Sequence, residues 1–471
     1  MSSFPLRSQV LVLWLMSCVV LALPARAQTP STTGQWSSVM TWPISATHTH
    51  LLPTGRVMFF GEFAQGGTAP RLWDPSTNAV SSLPYAGYNI FCAGHSFLAD
   101  GQMLVTGGHI ESHVGLEDAS LYDAFNNRWT RLPDMNDGRW YPTNITLANG
   151  DVLVISGETV ASGAMNELPQ RYLAATRTWR DMTSARLKVP YYPRMFLAPS
   201  GRLFLAGPQR LSRFLDTGGT GTWFTGPYSN YGTRSYGPAV ILDGKVLLMG
   251  GGDPPTATVE QIDLNVSSPV WRYMAPMSTA RRQHNATLLP DGTVLVTGGS
   301  RGSGFDNKTT PVFHAELYNP ATNTWTRLAS NTVYRGYHAT ALLLPDGRVL
   351  SAGGRNTNTA EVFSPPYLFK GARPTVSSLP DTVAPRTTFT ISTPDAGRVT
   401  KVTLIALGSV THSFDQNQRL ITLGFTRGSG VLTVSAPTSN NVAPPGYYQL
   451  FIMNDAGVPS VGRMVRITAV P

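Results

Sequence analysis

Cysteine is scarce in this sequence, with only Cys18 and Cys92 among its 471 residues. Cys18 lies in an N-terminal segment with the features of a cleavable signal peptide. Removal of that segment leaves one thiol, which excludes an intramolecular disulfide and the small folds that depend on disulfides. A lone cysteine in an exported protein is unusual, so the sequence around Cys92 is a candidate for a specific chemical role.

Long apolar stretches are also lacking. Residues 10–23 form a short apolar run, preceded by Arg7 and followed by the cleavage-type sequence Ala25-Arg26-Ala27. This pattern predicts a signal peptide over residues 1–27 and secretion of the remaining chain. No later run is long enough to span a bilayer, so we predict no membrane span.

Charged residues are few, at 13% of the sequence, and the formal net charge of +9 is spread along the chain without a basic run. This distribution argues against a nucleic-acid partner, although it is compatible with binding to cell-wall polysaccharide. Glycine and proline are abundant instead, with 45 and 36 residues. That composition is typical of many short strands joined by tight turns, so we predict an all-β fold.

A hairpin motif recurs seven times along the chain. In its three clearest copies, residues 243–251, 291–299 and 346–354, an Asp-Gly turn is followed by an apolar strand and two glycines. Each copy is followed by two more strand-like segments, and four strands per repeat predict the blades of a β-propeller over residues 28–370. The weaker copies have turn glycines at Gly55, Gly101, Gly150 and Gly201.

The last repeat lacks a fourth strand, because its third strand at residues 360–363 runs into Pro365-Pro366. Residues 35–39, ahead of the first repeat, have the pattern of an isolated fourth strand. We predict that this N-terminal strand completes the seventh blade, since closing the ring removes its exposed strand edges. Residues 371–471 contain short alternating strands and predict a β-sandwich.

One position in each repeat gathers unusual residues. Counting back nine residues from each turn glycine reaches the start of the innermost strand, where side chains from different blades converge on the axis. In blade order these residues are Ala46, Cys92, Tyr141, Tyr192, Ser235, Gln283 and His338. One position earlier are Ser45, Phe91, Trp140, Tyr191, Arg234, Arg282 and Tyr337. Each residue alone is typical of packing, but a thiol, phenols and an imidazole at one level favour a metal site.

These motifs resemble the copper radical oxidases, the family of galactose oxidase and glyoxal oxidase. The resemblance spans nearly all of the chain after residue 27 and is strongest at residues 91–94, 138–142, 337–349, 411–419 and 445–460. It implies a seven-bladed kelch-type β-propeller followed by an immunoglobulin-like β-sandwich. It also implies oxidation of a primary alcohol, aldehyde hydrate or carbohydrate by O2, with H2O2 as the second product.

The resemblance further implies a role for each matching residue. Cys92 is expected to form a thioether with a ring carbon of Tyr141, and Tyr141 is expected to bind one copper ion and carry a protein radical. Tyr337 is expected to be the axial copper ligand and general base. His338 and His412 are expected to be the nitrogen ligands, which requires His412 of the second domain to reach the propeller axis.

The sequence departs from galactose oxidase at one position. A tryptophan that stacks on the cross-link in that enzyme corresponds to Thr159 here. Trp140 and Trp223 are the candidates to replace it. We also predict that the substrate pocket is lined by Trp140, Tyr192, Arg234 and Gln283, with an ion pair as the alternative role for Arg234. Structural roles are expected for six further histidines, namely His48, His50, His95, His109, His113 and His284.

A non-catalytic propeller that binds carbohydrate or mediates adhesion is the alternative function, because the fold alone does not decide. Such a module has no need for Cys92 and Tyr141 at the level of Tyr337 and His338. A glycoside hydrolase needs a pair of carboxylates at the axial mouth, and none of the fourteen residues at the two positions is Asp or Glu. We expect the protein to be a monomer.

Overall fold

The computed structural model describes residues 1–2, 29–62 and 69–470. The predicted signal peptide therefore lies almost entirely outside the described residues. Within the described ranges, no helix is both long and apolar enough to cross a bilayer. The N-terminal region holds one helical turn, α1 (Pro30–Thr33), and two short strands, β1 (Gln35–Trp36) and β2 (Met40–Thr41). Short 3-10 turns occur at Thr183–Ala185, Pro366–Phe369 and Ala396–Arg398.

The described strands up to residue 364 form seven antiparallel blades, and the first strand of each blade lies nearest the axis. Blade one consists of β3 (His48–Leu51), β4 (Val57–Phe60), β5 (Arg71–Trp73) and β6 (Val80–Ser82). Blade two consists of β7 (Gly94–Phe97) and β8 (Met103–Thr106), then the inserted hairpin β9 (His109–Glu111) and β10 (Val114–Gly115), then β11 (Ala119–Asp123) and β12 (Arg128–Arg131). Blade three consists of β13 (Thr143–Thr146), β14 (Val152–Ile155), β15 (Gln170–Leu173) and β16 (Thr178–Asp181), and blade four consists of β17 (Arg194–Leu197), β18 (Leu203–Gly207), β19 (Leu211–Asp216) and β20 (Thr222–Tyr228).

The remaining three blades close the ring. Blade five consists of β21 (Ala239–Leu242), β22 (Lys245–Met249), β23 (Val259–Asp263) and β24 (Arg272–Met274). Blade six consists of β25 (Arg282–Leu288), β26 (Val294–Ser300), β27 (His314–Asn319) and β28 (Thr324–Ser330). Blade seven contains β29 (Ala339–Leu343), β30 (Val349–Gly353) and β31 (Thr359–Ser364). The N-terminal strand β1 supplies the fourth strand of blade seven, with Gln35 opposite Ser364 and Trp36 opposite Phe363. Pairing the two ends of the propeller sequence leaves no open blade at the closure.

The C-terminal residues form a sandwich of two sheets around an apolar core. Its strands are β32 (Thr382–Val383), β33 (Thr388–Ser392), β34 (Val399–Ala406), β35 (Ser409–Thr411), β36 (Phe414–Asp415), β37 (Leu420–Leu423), β38 (Phe425–Gly428), β39 (Val431–Ser435), β40 (Gly446–Asn454) and β41 (Arg463–Ile467). One sheet has the order β37-β34-β40-β41-β32, and the other has the order β33-β39-β38.

The hairpin β35–β36 leaves the sandwich and enters the propeller. It pairs antiparallel with the innermost strand β3, which places Thr411 opposite His48. Its two turn residues, His412 and Ser413, have φ values of 47° and 67°. Positive φ at both central residues is the requirement of a type I′ turn, the tight connection that matches strand twist. The hairpin tip therefore lies on the propeller axis.

A buried arginine recurs at the end of several blades. Its guanidinium donates hydrogen bonds to backbone carbonyls near the glycines that follow or end the second strand of the same blade. It also forms an ion pair with a glutamate of the third strand. Ionic partners buried together satisfy each other's charge, whereas either one alone is strongly unfavourable. The pairs are Arg234–Glu260 at 2.7 Å, Arg281–Glu316 at 2.5 Å and Arg335–Glu361 at 3.1 Å, with side chains at most 2% exposed.

Candidate active site

The residues that precede the innermost strands share a left-handed backbone. Cys92, Tyr141, Tyr192, Gln283 and His338 have φ values between 42° and 69°. This conformation costs about 1–2 kcal/mol for a residue with a Cβ. Hydrogen bonds between neighbouring blades stabilise it, since the Tyr141 N–H donates to the Cys92 carbonyl and the Tyr192 N–H donates to the Tyr141 carbonyl, each at 2.9 Å.

In blade five, the residue with the left-handed backbone lies one position later than predicted. Tyr236, rather than Ser235, has the left-handed backbone, with φ at 54°. The Gln283 N–H donates to the Tyr236 carbonyl at 2.9 Å, as at the other blades. The cause is the first hairpin of this blade, where only two residues separate Leu242 from Lys245. Counting back nine residues from its turn glycine therefore reaches one position too far.

The same shift explains why Arg234 does not contact the pocket. Arg234 lies two residues before Tyr236, as Arg281 lies two residues before Gln283, so it is the buried arginine of its blade. Its guanidinium is 2% exposed and bonds Glu260 and backbone carbonyls. The prediction of a substrate contact for Arg234 is wrong, and its alternative role in an ion pair is the observed one.

Four side chains with metal-binding atoms converge on the axis. The phenol oxygens of Tyr141 and Tyr337 lie 2.6 Å apart, and His412 Nε2 lies 2.8 Å from the Tyr141 Oη. The His338 ring stacks on Tyr337 with centroids 3.9 Å apart and lies 4.6 Å from the His412 ring. His338 Nε2 is buried and has no hydrogen-bond partner among the described residues.

Hydrogen bonds behind the two imidazoles set which nitrogen faces the centre. His338 uses Nδ1 for a short hydrogen bond to Glu62. The Thr411 hydroxyl donates to the Thr47 carbonyl at 3.0 Å, so it accepts from His412 Nδ1 at 2.6 Å. Both imidazoles therefore present an unprotonated Nε2 to the centre, as a metal ligand requires.

This donor set fits a copper ion. Burial lowers the pKa of both His338 and His412, which keeps the imidazoles neutral and able to ligate. Burial also raises the pKa of Tyr141 and Tyr337, so their ionisation requires a nearby cation. Two imidazole nitrogens and two phenolates suit a borderline metal such as copper. Among the described residues no group of three or more His, Cys, Asp or Glu side chains forms a metal site, so the phenols are essential to this one.

Cys92 lies beside Tyr141 in one apolar cluster and is fully buried. Burial raises the pKa of its thiol, against a smaller opposing effect of hydrogen bonding to the Tyr141 side chain. The Tyr141 ring lies between two aromatic rings. Trp140 stacks on one face with centroids 3.8 Å apart and an interplanar angle of 11°, and Tyr192 stacks with centroids 4.7 Å apart and an angle of 25°.

Trp140 therefore supplies an aromatic ring stacked on Tyr141. The Trp140 indole donates to His109 Nδ1 at 3.0 Å, which fixes the plane of the ring. Trp223 lies on the outer strand β20 and bonds the Ala185 carbonyl instead. A tryptophan adjacent to the stacked tyrosine in sequence thus provides the contact from within the same loop.

A cavity of about 560 Å³ opens above Tyr141, Tyr337 and His338, and His412 borders an adjoining one. Of the predicted lining residues only Trp140 borders the larger cavity, while Tyr192 borders the adjoining cavity of about 190 Å³. Gln283 is 1% exposed and borders neither cavity. Phe91 and Tyr191, which the sequence placed at the level of the axis, also line the larger cavity. Sequence reasoning did not identify four other lining side chains: Glu62, His109, Tyr236 and Phe305.

Comparisons with known proteins agree with this geometry. The family models "Glyoxal oxidase N-terminus" and "Galactose oxidase-like, Early set domain" match residues 243–372 and 373–467. Galactose oxidase of Gibberella zeae is 31% identical over 92% of this chain and 71% of its own length. Aldehyde oxidase GLOX of Vitis pseudoreticulata is 30% identical over 84% of both chains.

A solved structure extends the likeness to three dimensions. A fungal alcohol oxidase of the AA5 family in complex with copper has a TM-score of 0.84 and 27% identity, over 93% of this chain and 100% of that one. Fold, converging side chains and relatives point to the same group. The chain belongs to the copper radical oxidase family, the enzymes of the galactose oxidase and glyoxal oxidase type.

Proposed function

We propose that this chain is a secreted, monomeric oxidase that converts a primary alcohol to an aldehyde, or an aldehyde hydrate to a carboxylic acid, and reduces O2 to H2O2. The observation that carries the proposal is the convergence of Tyr141, Tyr337, His338 and His412, with Cys92 buried beside Tyr141. Carbohydrates with a primary hydroxyl belong to the proposed substrate class. Cell-wall polysaccharide is a proposed partner for the basic surface.

We further propose that Cys92 and Tyr141 form a thioether. The reaction breaks the Cys92 S–H bond and one ring C–H bond of Tyr141, and it forms one S–C bond. The two electrons and two protons pass to O2, which becomes H2O2. An ortho sulfur lowers the oxidation potential of a phenol, so the cross-linked Tyr141 is the proposed site of the radical. The one thiol that remains after removal of the predicted signal peptide is consumed in this step.

Each side chain then has a role in turnover. Tyr141, Tyr337, His338 and His412 would hold the copper ion, which would supply a one-electron acceptor and a Lewis acid. The Tyr337 Oη takes the hydroxyl proton of the substrate, and the Tyr141 Oη takes a hydrogen atom from the adjacent carbon. Overall the alcohol loses two hydrogens and O2 gains them. The aromatic lining of the cavity excludes water from these atoms.

The mass of the purified mature protein tests the proposal. Treatment with copper and air is expected to lower the intact mass by about 2 Da and to make Cys92 unreactive to alkylating agents. Peroxide release with a panel of alcohols and aldehydes then identifies substrates. Full alkylation of Cys92, when the copper-treated protein is denatured before the reagent is added, would exclude the radical-oxidase mechanism. It would instead favour the non-catalytic carbohydrate-binding or adhesion module.

Substitution of Trp140 by leucine is expected to shorten the lifetime of the oxidised protein about tenfold, because the Tyr141 ring loses a stacked neighbour. Decay of the radical signal after chemical oxidation measures this lifetime. Trp223→Leu is the matched control, since Trp223 lies on an outer strand away from the centre. Equal lifetimes in the two variants would show that Trp140 does not shield the radical.

Substitution of Glu62 by glutamine is expected to weaken copper binding about 10- to 100-fold, the usual effect of losing a carboxylate behind a histidine ligand. Burial acts to raise the pKa of Glu62, but the hydrogen bond with His338 holds that pKa below its ordinary value, so Glu62 is a carboxylate. Titration against a competing chelator measures the affinity. Glu167→Gln, on an exposed carboxylate, is expected to bind copper like the wild type. Wild-type copper affinity in the Glu62→Gln protein would show that Glu62 does not support the metal site.

A further inference from the structure

Three buried histidines lie in a row behind Cys92, and none of the roles given so far uses them. His48 and His50 lie on β3 and His95 lies on β7, and all three are fully buried. The ring centroids are 5.3 Å apart for His48 and His95, and 4.3 Å apart for His50 and His95. The hydroxyl of Ser409, from the inserted hairpin, bonds His95 and His50. We name these four residues the histidine relay.

In each hydrogen bond from Cys92 through His48 and His95 to Ser409, the donor is the group nearer to Cys92. The Cys92 N–H donates to His48 Nε2 at 3.1 Å, so this nitrogen carries no proton. A neutral imidazole then has its proton on Nδ1, which donates to His95 Nε2 at 3.1 Å. By the same rule His95 donates from Nδ1 to Ser409 Oγ at 2.6 Å. Burial lowers the pKa of each of the three imidazoles and thereby favours the neutral forms.

The Cys92 backbone depends on contacts from both sides. Its φ of 65° is in the left-handed region, where a residue with a side chain is strained. On one side its N–H is held by His48 of blade one. On the other side its carbonyl accepts the N–H of Tyr141 of blade three at 2.9 Å. The peptide that carries the thiol is thus fixed between the two neighbouring blades.

We propose that His48 is the positioning residue for the bond between Cys92 and Tyr141. By accepting the Cys92 N–H it holds the turn in the conformation that directs the sulfur toward the tyrosine ring. His95 and Ser409 keep His48 in the tautomer that accepts on this side. This inference rests on the proposed thioether and concerns the rate at which it forms.

Two nearly isosteric substitutions isolate the hydrogen bond. His48→Gln keeps an acceptor at the end of the side chain, whereas His48→Met replaces it with a weakly accepting sulfur. Both variants lose the stacking of His48 on Phe60. Copper and air are added to each folded protein, samples are denatured at intervals, and the loss of alkylatable Cys92 is followed with time. We expect His48→Met to cross-link about tenfold or more slowly than His48→Gln, because its buried Cys92 amide is unsatisfied.

His284→Met is the matched control, since His284 is equally buried on β25, the innermost strand of blade six, and does not belong to the relay. It is expected to cross-link at the wild-type rate even if its melting temperature falls. Equal rates for His48→Met and His48→Gln would overturn the proposal. If His48→Met does not fold, Ser409→Ala removes the acceptor of His95, and a wild-type rate in that protein would overturn the relay. Absence of cross-linking in the wild type would instead refute the proposed function.

Discussion

The Tyr141→Phe protein is expected to lose alcohol oxidation by about a thousandfold or more, because one hydroxyl serves several parts of the site that act together. The substitution removes the Oη that lies 2.6 Å from the Tyr337 Oη and 2.8 Å from His412 Nε2. It also removes the phenol whose oxidation, in the proposed cross-linking, activates the ring toward Cys92. Peroxide release should therefore vanish, and Cys92 should remain alkylatable after treatment with copper and air.

A matched tyrosine offers the control for this result. Tyr172 is buried in blade three, and its Oη has no hydrogen-bond partner among the described residues. Tyr172→Phe makes the same chemical change far from the axis. This variant is therefore expected to retain alcohol oxidation and cross-linking. Substantial peroxide release by Tyr141→Phe would contradict the role proposed for Tyr141. Loss of activity in both variants would point to a general effect on folding.

The Glu361→Ala protein is expected to lose about 3–5 kcal/mol of its free energy of unfolding, because the buried Arg335 is left without its counter-ion. Both side chains are 1% exposed, and Glu361 also accepts a hydrogen bond from the Thr332 backbone at 3.3 Å. Arg335 lies two residues before Tyr337 in the same loop. The substitution should therefore disturb one edge of the active site as well as lower the stability, which denaturant unfolding of the metal-free protein measures.

An exposed ion pair provides the comparison. Arg398 and Asp455 lie 2.7 Å apart, but their side chains are 59% and 53% exposed. Asp455→Ala is expected to change the denaturant midpoint little, since water solvates a charge that has lost its partner. Similar midpoints for Glu361→Ala and the wild type would contradict the role given to the buried pairs.

Repeats made most of the fold predictable from the sequence. Each turn glycine marks a hairpin, and the orphan strand at residues 35–39 indicates how the ring closes. The prediction is one residue out in blade five because a two-residue turn replaces a longer one between Leu242 and Lys245. That difference is visible in the sequence, where Leu242 runs directly into the Asp-Gly turn. Allowing for it would have exchanged Ser235 for Tyr236 and moved Arg234 to the buried position.

Other parts of the site depend on contacts that no spacing reveals. Glu62 follows a strand end of blade one, yet it matters because its carboxylate meets His338 of blade seven. His48 has the surroundings of an ordinary core histidine until its acceptor role toward the Cys92 amide is seen. Trp140 was one of two candidate tryptophans, and only the stacking geometry distinguishes it from Trp223. Such pairings join distant segments, so they follow from the folded ring and not from local sequence.

The hairpin that carries His412 has a consequence for the order in which the site assembles. One metal-binding imidazole belongs to the last hundred residues of the chain, whereas Cys92 and Tyr141 belong to the first third. During synthesis the thiol and the phenol are made long before that imidazole exists. The four converging side chains therefore come together only after the sandwich has docked its hairpin into the ring. A chain in which this hairpin has not docked therefore lacks one of the four converging side chains.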